Sequence, residues 1–275
     1  MGDRSLVFLV TGASSGIGRS ISVEAAAAGH RVFATARQPE AIADLGPAVS
    51  SLPLDVTRGE SISRAVSEVL ARAGRIDVLV NNAGYGQMGT VEDISMAQWR
   101  AEFDVNVFGL LETTRAVLPV MRARGSGYVV NIGSIAGRIA YPFGGAYCAS
   151  KFAVEAISDA LRLEVEPFGI RVVLIEPGPI RTRFNARVER EVDPLVHDAG
   201  SPYHARYEGA FVRFRKESSF GALPPEAVAR VVLRAVRRRK PRARYLVTAP
   251  AKIFAFARRL APDALMDAAM RAKFR

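Results

Sequence analysis

The chain is poor in cysteine, histidine and tryptophan, and it lacks any long uninterrupted apolar run. Its single cysteine, Cys148, excludes an internal disulfide and fits a reducing compartment such as the cytoplasm. Cys148 adjoins Tyr147, but neighbouring helical residues point in different directions, so it reads as a small packed residue before it reads as a nucleophile. The three histidines, His30, His197 and His204, are too scattered to suggest a zinc site, and no metal is expected. No stretch reaches the apolar length needed to span a bilayer. The opening Met-Gly-Asp-Arg-Ser leads straight into a short apolar strand, without the stretch and cleavage site of a secretory signal.

Acidic residues are scarce at the C-terminal end. Residues 230–275 hold 14 Lys+Arg against 2 Asp+Glu, whereas residues 1–229 hold 24 and 25, so the tail carries the whole formal excess of +11. Such asymmetry marks either contact with an anionic partner or a solvated, arginine-rich surface. No nucleic-acid recognition motif accompanies it, so that partner class ranks low. The segment Ala251 to Leu260 is basic and apolar at helical spacing, which suits peripheral contact with an anionic membrane, a cover for a pocket, or a partner subunit.

What is present is an α/β pattern. With 275 residues and 49% hydrophobic side chains, the chain can bury one sizeable core, and a single domain is the expectation. A strand over Leu6–Val10 runs into Thr11-Gly12-Ala13-Ser14-Ser15-Gly16-Ile17-Gly18 and then an alanine-rich helix to about Ala28. A glycine-rich turn between strand and helix points backbone amides and the positive end of the helix dipole at one place, which suits a pyrophosphate. The spacing Gly12-x3-Gly16-x-Gly18 is more specific than a generic glycine triplet.

Arg31–Thr35 is a second strand, followed by Ala36-Arg37. An acid after this strand would accept from the ribose of NAD, whereas an arginine suits the phosphate of NADP, so Arg37 indicates NADP(H). Further strands are expected at Ser51–Val56, which contains Asp55, at Ile76–Val80 before Asn81-Asn82-Ala83-Gly84, at Gly127–Ile132 and at Arg171–Ile175. Strands alternating with helices imply a parallel sheet covered on both faces, with ligands at the C-terminal strand ends. Gly12, Arg37, Asp55, Asn82 and Ser134 all fall at such ends.

A helix from about Met96 through Leu118 carries Asn106, whose amide is either a structural hydrogen-bonder or part of a proton relay. Tyr147 and Lys151 stand four apart at the start of another long helix, which stacks a phenol beside an ammonium. The fixed positive charge is expected to lower the phenol's pKa so that Tyr147 can give or take a proton. Ser134, thirteen residues upstream of Tyr147, can hydrogen-bond the same substrate oxygen.

With these motifs in order over roughly residues 6–182, the chain resembles the classical short-chain dehydrogenase/reductases, and the run from Tyr141 to Ala153 together with Arg37 is similar to the branch containing 17β-hydroxysteroid and retinol dehydrogenases. The resemblance implies a single-domain Rossmann-type doubly wound sheet of about seven parallel strands with helices on both faces. It implies hydride transfer between a nicotinamide and a carbonyl or alcohol carbon. Tyr147 would be the general acid/base, Lys151 would hold the nicotinamide ribose, Ser134 would polarise the substrate oxygen, and Asn106 would bind a relay water. By the same resemblance, Asp55 and Val56 approach the adenine, and Asn82, Ala83 and Gly84 line the riboses. Ile180 and Thr182, beyond Pro177-Gly178, meet the carboxamide, and a homodimer or homotetramer is implied.

Residues 183–223 lose clear periodicity and correspond to the family's substrate lid, ahead of a basic extension over 224–275. Phe184, Tyr203, Tyr207, Phe211, Phe214 and Phe220 there suggest an apolar steroid-, retinoid- or lipid-like substrate, or simply pack the lid onto the body. Two other readings are a silent NADP(H)-sensing regulator, which the intact Ser134, Tyr147 and Lys151 argue against, and a membrane-associated lipid-ketone reductase.

Overall fold

The computed structural model describes residues 5–207, 209, 212 and 220–273, so Phe211 and Phe214 lie outside the described residues. Seven parallel strands form one sheet in the order β3-β2-β1-β4-β5-β6-β7. They are β1 (Val7–Val10), β2 (Arg31–Ala36), β3 (Val49–Pro53), β4 (Val78–Asn81), β5 (Gly127–Ile132), β6 (Ile170–Glu176) and β7 (Arg244–Leu246). The register is continuous across the centre: Val10 pairs with Ala34 on one side and Val80 on the other, and Asn81 pairs with Asn131. The strand order reverses between β1 and β4, the place where doubly wound sheets open a ligand crevice.

The strands are apolar at nearly every position because both faces are covered. Phe8 and Val10 pack with Ile21 and Ala25 of α1 (Gly16–Ala27) and with Val228, Val232 and Val236 of the helix over Pro225–Val236. Val7 and Leu9 point the other way, onto Ile62, Val66 and Val69 of α2 (Gly59–Ala73) and Val117 and Met121 of a helix over Gly109–Ala123. Each such fully buried side chain contributes roughly 1.5–3 kcal/mol relative to exposure. His30, the residue after the turn glycine Gly29, is buried, with its ring stacked on Phe8 at 5.2 Å.

Further helices are α3 (Met96–Phe103), α4 (Gly109–Ala123), α5 (Gly145–Val165), α6 (Phe184–Val196), α7 (Pro225–Val236), α8 (Ala249–Leu260) and α9 (Asp263–Lys273). Ser95 starts α3 with a reciprocal capping box to Gln98. Between α3 and α4 the helix expected to run unbroken passes through a π turn at Asp104–Phe108, which re-aims the side chain of Asn106. Under the site a buried polar chain ties helices to sheet: Asn81 donates to Thr114 of α4 and to Asn131, which donates to Ser158 of α5, each at 2.9 Å.

The segment expected to be irregular after Thr182 is instead helical over Phe184–Val196, with Pro194 inside it. Its apolar face carries Val188 and Val192, which the surrounding charges hide from a periodicity reading. Helix α8 forms where the basic apolar run lies and exposes Ile253, Phe256 and Leu260. Among the described residues no helix is long and apolar enough to cross a membrane.

Candidate active site

All five residues expected at strand ends lie within two residues of the C-terminal ends of β1 to β5, at one edge of a parallel sheet. The turn after β1 depends on its glycines. Gly12 and Gly16 have φ of 67° and 57°, the left-handed region that side chains with a Cβ rarely adopt. A Cβ on Gly18 would stand 2.6 Å from Gly12 O and collide with the Asn82 amide. Asn82 Nδ2 donates to Thr11 O at 3.0 Å and Gly12 O at 2.9 Å, while Thr11 Oγ1 accepts from the backbone of Asn82 and Ala83, both at 3.0 Å. The Asn82 side chain thus braces the turn.

Ile17 packs against the core below this turn, and the Ser15 side chain at the N-cap of α1 takes none of the helix's first amides. Those amides remain available to an anion. Ser14, Ser15 and Gly16 line a cleft of about 840 Å³ together with Arg19, Arg181 and Thr182. Thr182 packs against the turn, with its Cγ2 3.1 Å from where a Gly16 Cβ would be. Arg19, which the sequence reading did not single out, makes a two-pronged pair with Asp44 at 3.0 and 2.5 Å. Asp44 lies in a short 3-10 segment, Pro39–Leu45, that carries no periodic signal.

Arg37 follows β2 directly and is exposed. Burial alone would raise the Asp55 carboxyl, but the hydrogen bonds from the Thr57 backbone and hydroxyl and the charges of Arg37 and Arg58 together hold it below its ordinary value. Val56 is buried, its side chain 2.8 Å from where a Cβ on Gly109 would stand. Gly178, after Pro177, lies against Thr248 and Ala251 at the start of α8, and a Cβ there would collide with the Thr248 hydroxyl. Ile180 pairs with Leu223 in an isolated bridge.

The reacting groups come from β5 and α5. Ser134 follows β5, its hydroxyl accepting from Ala136 N at 3.1 Å and lying close enough to the Tyr147 side chain to favour its ionised form. Lys151 is buried, donates to Ile132 O at 3.0 Å, and lies 5.8 Å from the centre of the Tyr147 ring. Asn106 is fixed by Tyr85, accepting from its N–H at 3.0 Å and donating to its carbonyl at 2.8 Å. Gly84 fits between the last two groups: a Cβ there would be 2.9 Å from Asn106 Oδ1 and 3.8 Å from Lys151 Nζ.

The expected lowering of the Tyr147 pKa is corrected by the structure. Burial pushes the phenol well above its ordinary value, the neighbouring Ser134 hydroxyl only partly offsets this, and the nearby Glu102 and Cys148 add to it. Burial also draws Lys151 down to about 8. Helical spacing brings the pair together, but the low polarity around them favours their neutral forms. Tyr147 is therefore a proton-bearing phenol near neutrality. Cys148 is a buried thiol pushed up to about 11, consistent with a packed residue.

An apolar cluster packs against Tyr147. Phe184 of α6 faces its ring at a centroid distance of 5.4 Å, and Met88, Val188, Val192 and Tyr207 pack behind. Phe143 adopts φ of 65°, unusual for a bulky residue, and its ring packs on Tyr207 at 5.1 Å. The Tyr207 hydroxyl, in turn, donates to Asp93 at 2.8 Å and accepts from Thr90 N at 2.9 Å. Arg187 of α6 lies 3.7 Å over the Tyr85 ring.

Residues 6–193 match the family model described as short chain dehydrogenase. The chain belongs to that family. The short-chain dehydrogenase fold and chemistry make it an NAD(P)(H)-dependent oxidoreductase. It is 38% identical to the uncharacterized oxidoreductase YbbO of Escherichia coli, over 94% of this chain and 91% of that one. It is 36% identical to 3-ketodihydrosphingosine reductase of Bacteroides thetaiotaomicron over 96% of each, and 35% identical to human 17-beta-hydroxysteroid dehydrogenase type 1 over 84% and 77%.

Among solved structures, a short-chain dehydrogenase from Streptomyces avermitilis matches with a TM-score of 0.79 and 36% identity, covering 97% of this chain and 95% of that one. A Burkholderia phymatum enzyme in complex with NAD matches at 0.81 and 26% identity, covering 94% of each chain. A Burkholderia cenocepacia enzyme in complex with NADP matches at 0.75 and 28%, covering 96% and 97%.

Proposed function

We propose that this short-chain dehydrogenase is an NADP(H)-dependent carbonyl reductase of apolar ketones or aldehydes, with Tyr147 as its acid. The observation that carries the reading is the gathering of Tyr147, Ser134 and Lys151 in one place, with apolar side chains of α6 packed against the Tyr147 ring. A protonated phenol is ready to donate, which is what reduction of a carbonyl requires.

The residues present fit a dinucleotide. The glycine turn of Gly12, Gly16 and Gly18, with Ser14 and Ser15, leaves amides open to a pyrophosphate. Asp55 and Val56 would flank the adenine, Asn82, Ala83 and Gly84 the riboses, and Pro177, Gly178, Ile180 and Thr182 the nicotinamide side. Arg37, in the place where an acid would select NAD, would hold the additional phosphate of NADP. The relative in complex with NADP supports this choice, although the Burkholderia phymatum enzyme in complex with NAD shows that the fold itself serves both.

When bound, the nicotinamide supplies the hydride for the carbonyl carbon. Ser134 donates a hydrogen bond that orients the carbonyl oxygen, and Tyr147 gives that oxygen its proton. Lys151 supports the phenolate left behind, and Asn106 holds the backbone of Tyr85 in place. The apolar environment around Tyr147 excludes bulk water from this exchange. Its character agrees with the names of two relatives, a hydroxysteroid dehydrogenase and a ketodihydrosphingosine reductase, and is the reason for placing the chain near the hydroxysteroid and retinol branch.

The test is fluorescence titration with NADPH and NADH, followed by NADPH oxidation with steroid, retinoid and long-chain lipid ketones and aldehydes. Preferential NADPH binding and oxidation by one apolar class is the expected result. Binding with no oxidation by any of them would reject the reading.

A further inference from the structure

Glu102, on α3 one turn before Asn106, is entirely buried. Its Oε1 accepts from Asn106 Nδ2 at 3.2 Å, and its Oε2 has no hydrogen-bond partner among the described residues. The Asn106 amide has other obligations. The same Nδ2 donates to Tyr85 O at 2.8 Å and to Ser150 Oγ at 3.0 Å, and Ser150 spends its own hydrogen on Tyr147 O at 2.8 Å. An amide nitrogen carries two hydrogens, so three acceptors cannot all be fully served, and the longest contact is the one to Glu102. A buried carboxylate with a part share of one side-chain donor, an orphan oxygen and only the Gln87 backbone amide besides would be costly to hold ionised. A neutral carboxylic acid would not.

This carboxyl adjoins the reacting groups. Asn106 Oδ1 and Lys151 Nζ both lie within 4 Å of the point a Gly84 Cβ would occupy. The groups that face Glu102 come from several elements. Lys151 of α5 and Arg187 of α6 favour its ionised form, as does the Gln87 backbone amide, and burial opposes them all, pushing it up to about 8. Tyr85, Tyr141, Tyr147 and Cys148 are each held protonated more firmly by its negative charge, and so is Lys151.

We propose that Glu102 is a positioning residue that sets the alkaline limit of carbonyl reduction, by releasing a proton inside the site as the medium turns alkaline. The inference rests on Tyr147 being the acid of the reaction. While Glu102 is protonated it exerts no charge on the pair. Once ionised, its carboxylate opposes loss of the proton from Tyr147 and from Lys151, so both keep their protons to higher pH. Only this one proton is exchanged, and no bond of the substrate is made or broken by Glu102.

Glu102→Gln tests this, because glutamine keeps the size and the acceptor oxygen for Asn106 yet cannot titrate. In the pH profile of NADPH-dependent reduction, the variant is expected to lose activity at lower pH than the parent, a shift of roughly one unit. A purely structural Glu102 would be rescued by glutamine, so a profile identical to the parent's overturns the proposal. Infrared spectra of the protein alone supply a readout independent of turnover. The carbonyl band of a buried protonated carboxyl should fade between pH 7 and 9 in the parent, a window set by the value of about 8, and be missing from Glu102→Gln. Absence of that difference also overturns the proposal. If Tyr147→Phe retained turnover, the catalytic reading would fall on its own evidence, and the infrared titration would still decide whether Glu102 exchanges a proton.

Discussion

Phe184 of the helix after β6 stands over Tyr147 with ring centroids 5.4 Å apart, close enough that a Cβ on Gly86 would meet the Phe184 ring at 2.6 Å. The ring thus fills space directly in front of the phenol. Replacing Phe184 with alanine should open that space without touching the glycine turn. The expected outcome is a relative gain in kcat/KM for bulkier ketones over smaller ones of roughly tenfold, since one apolar contact in a pocket discriminates at about that level. NADPH affinity should not move. An unchanged substrate ranking would place the selective surface elsewhere.

Tyr147→Phe removes one oxygen and keeps the ring that packs on Phe184. Turnover should fall by roughly 100- to 10,000-fold, the range ascribed to a positioned general acid, with NADPH binding retained. Single-turnover oxidation of bound NADPH separates this from a binding defect. Because burial raises the phenol, reduction should also hold a plateau through neutrality before it declines in alkali. A decline beginning below neutrality would contradict a phenol held protonated.

Arg37→Ala should weaken NADPH by roughly 10- to 100-fold, the loss of charge-assisted hydrogen bonds to a phosphate, and leave NADH nearly unchanged. Titration of both cofactors against parent and variant measures it. If the preference survives, Arg19 is the next candidate, because it lines the same cleft and its charge is already shared with Asp44.

These three residues differ in how legible they were. Arg37 and Tyr147 could be read because each has a fixed place relative to a strand end or helical repeat, and the glycine turn could be read because its backbone tolerates little else. The sheet followed from the alternation of apolar strands with helices. The proton affinity of Tyr147 could not be read: spacing shows that Lys151 is adjacent, whereas burial, which proves the larger influence, is a property of the assembled fold. Glu102 was hidden for a related reason, since one acid among Trp99, Arg100 and Asp104 looks like part of a solvated helix face. The π turn that aims Asn106 has no sequence mark of its own, and α6 was obscured by its charges and Pro194.

A last prediction concerns stability beneath the site. Glu155 of α5 adjoins Glu176 at the end of β6, which is fully buried and paired with Arg138. Glu155 also accepts from Arg244 Nε at 3.1 Å. Burial first, then the adjoining Glu176, push the Glu155 carboxyl well above the ordinary carboxylate range despite Arg244. A carboxyl whose folded pKa is raised adds stability that is complete below its unfolded value near 4.5 and is lost as pH rises through the folded value. Glu155→Gln keeps an acceptor for Arg244 and a donor for Glu176 but has no proton to lose. Its Tm relative to the parent should therefore climb steadily from mildly acidic to mildly alkaline buffer. Titrating groups remote from Glu155, Glu102 included, are common to both proteins and cancel in the difference, leaving the Glu155–Glu176 pair as the source of the pH dependence. Thermal melts of the two proteins across that range measure it, and a Tm difference independent of pH would show that Glu155 is already ionised in the folded chain.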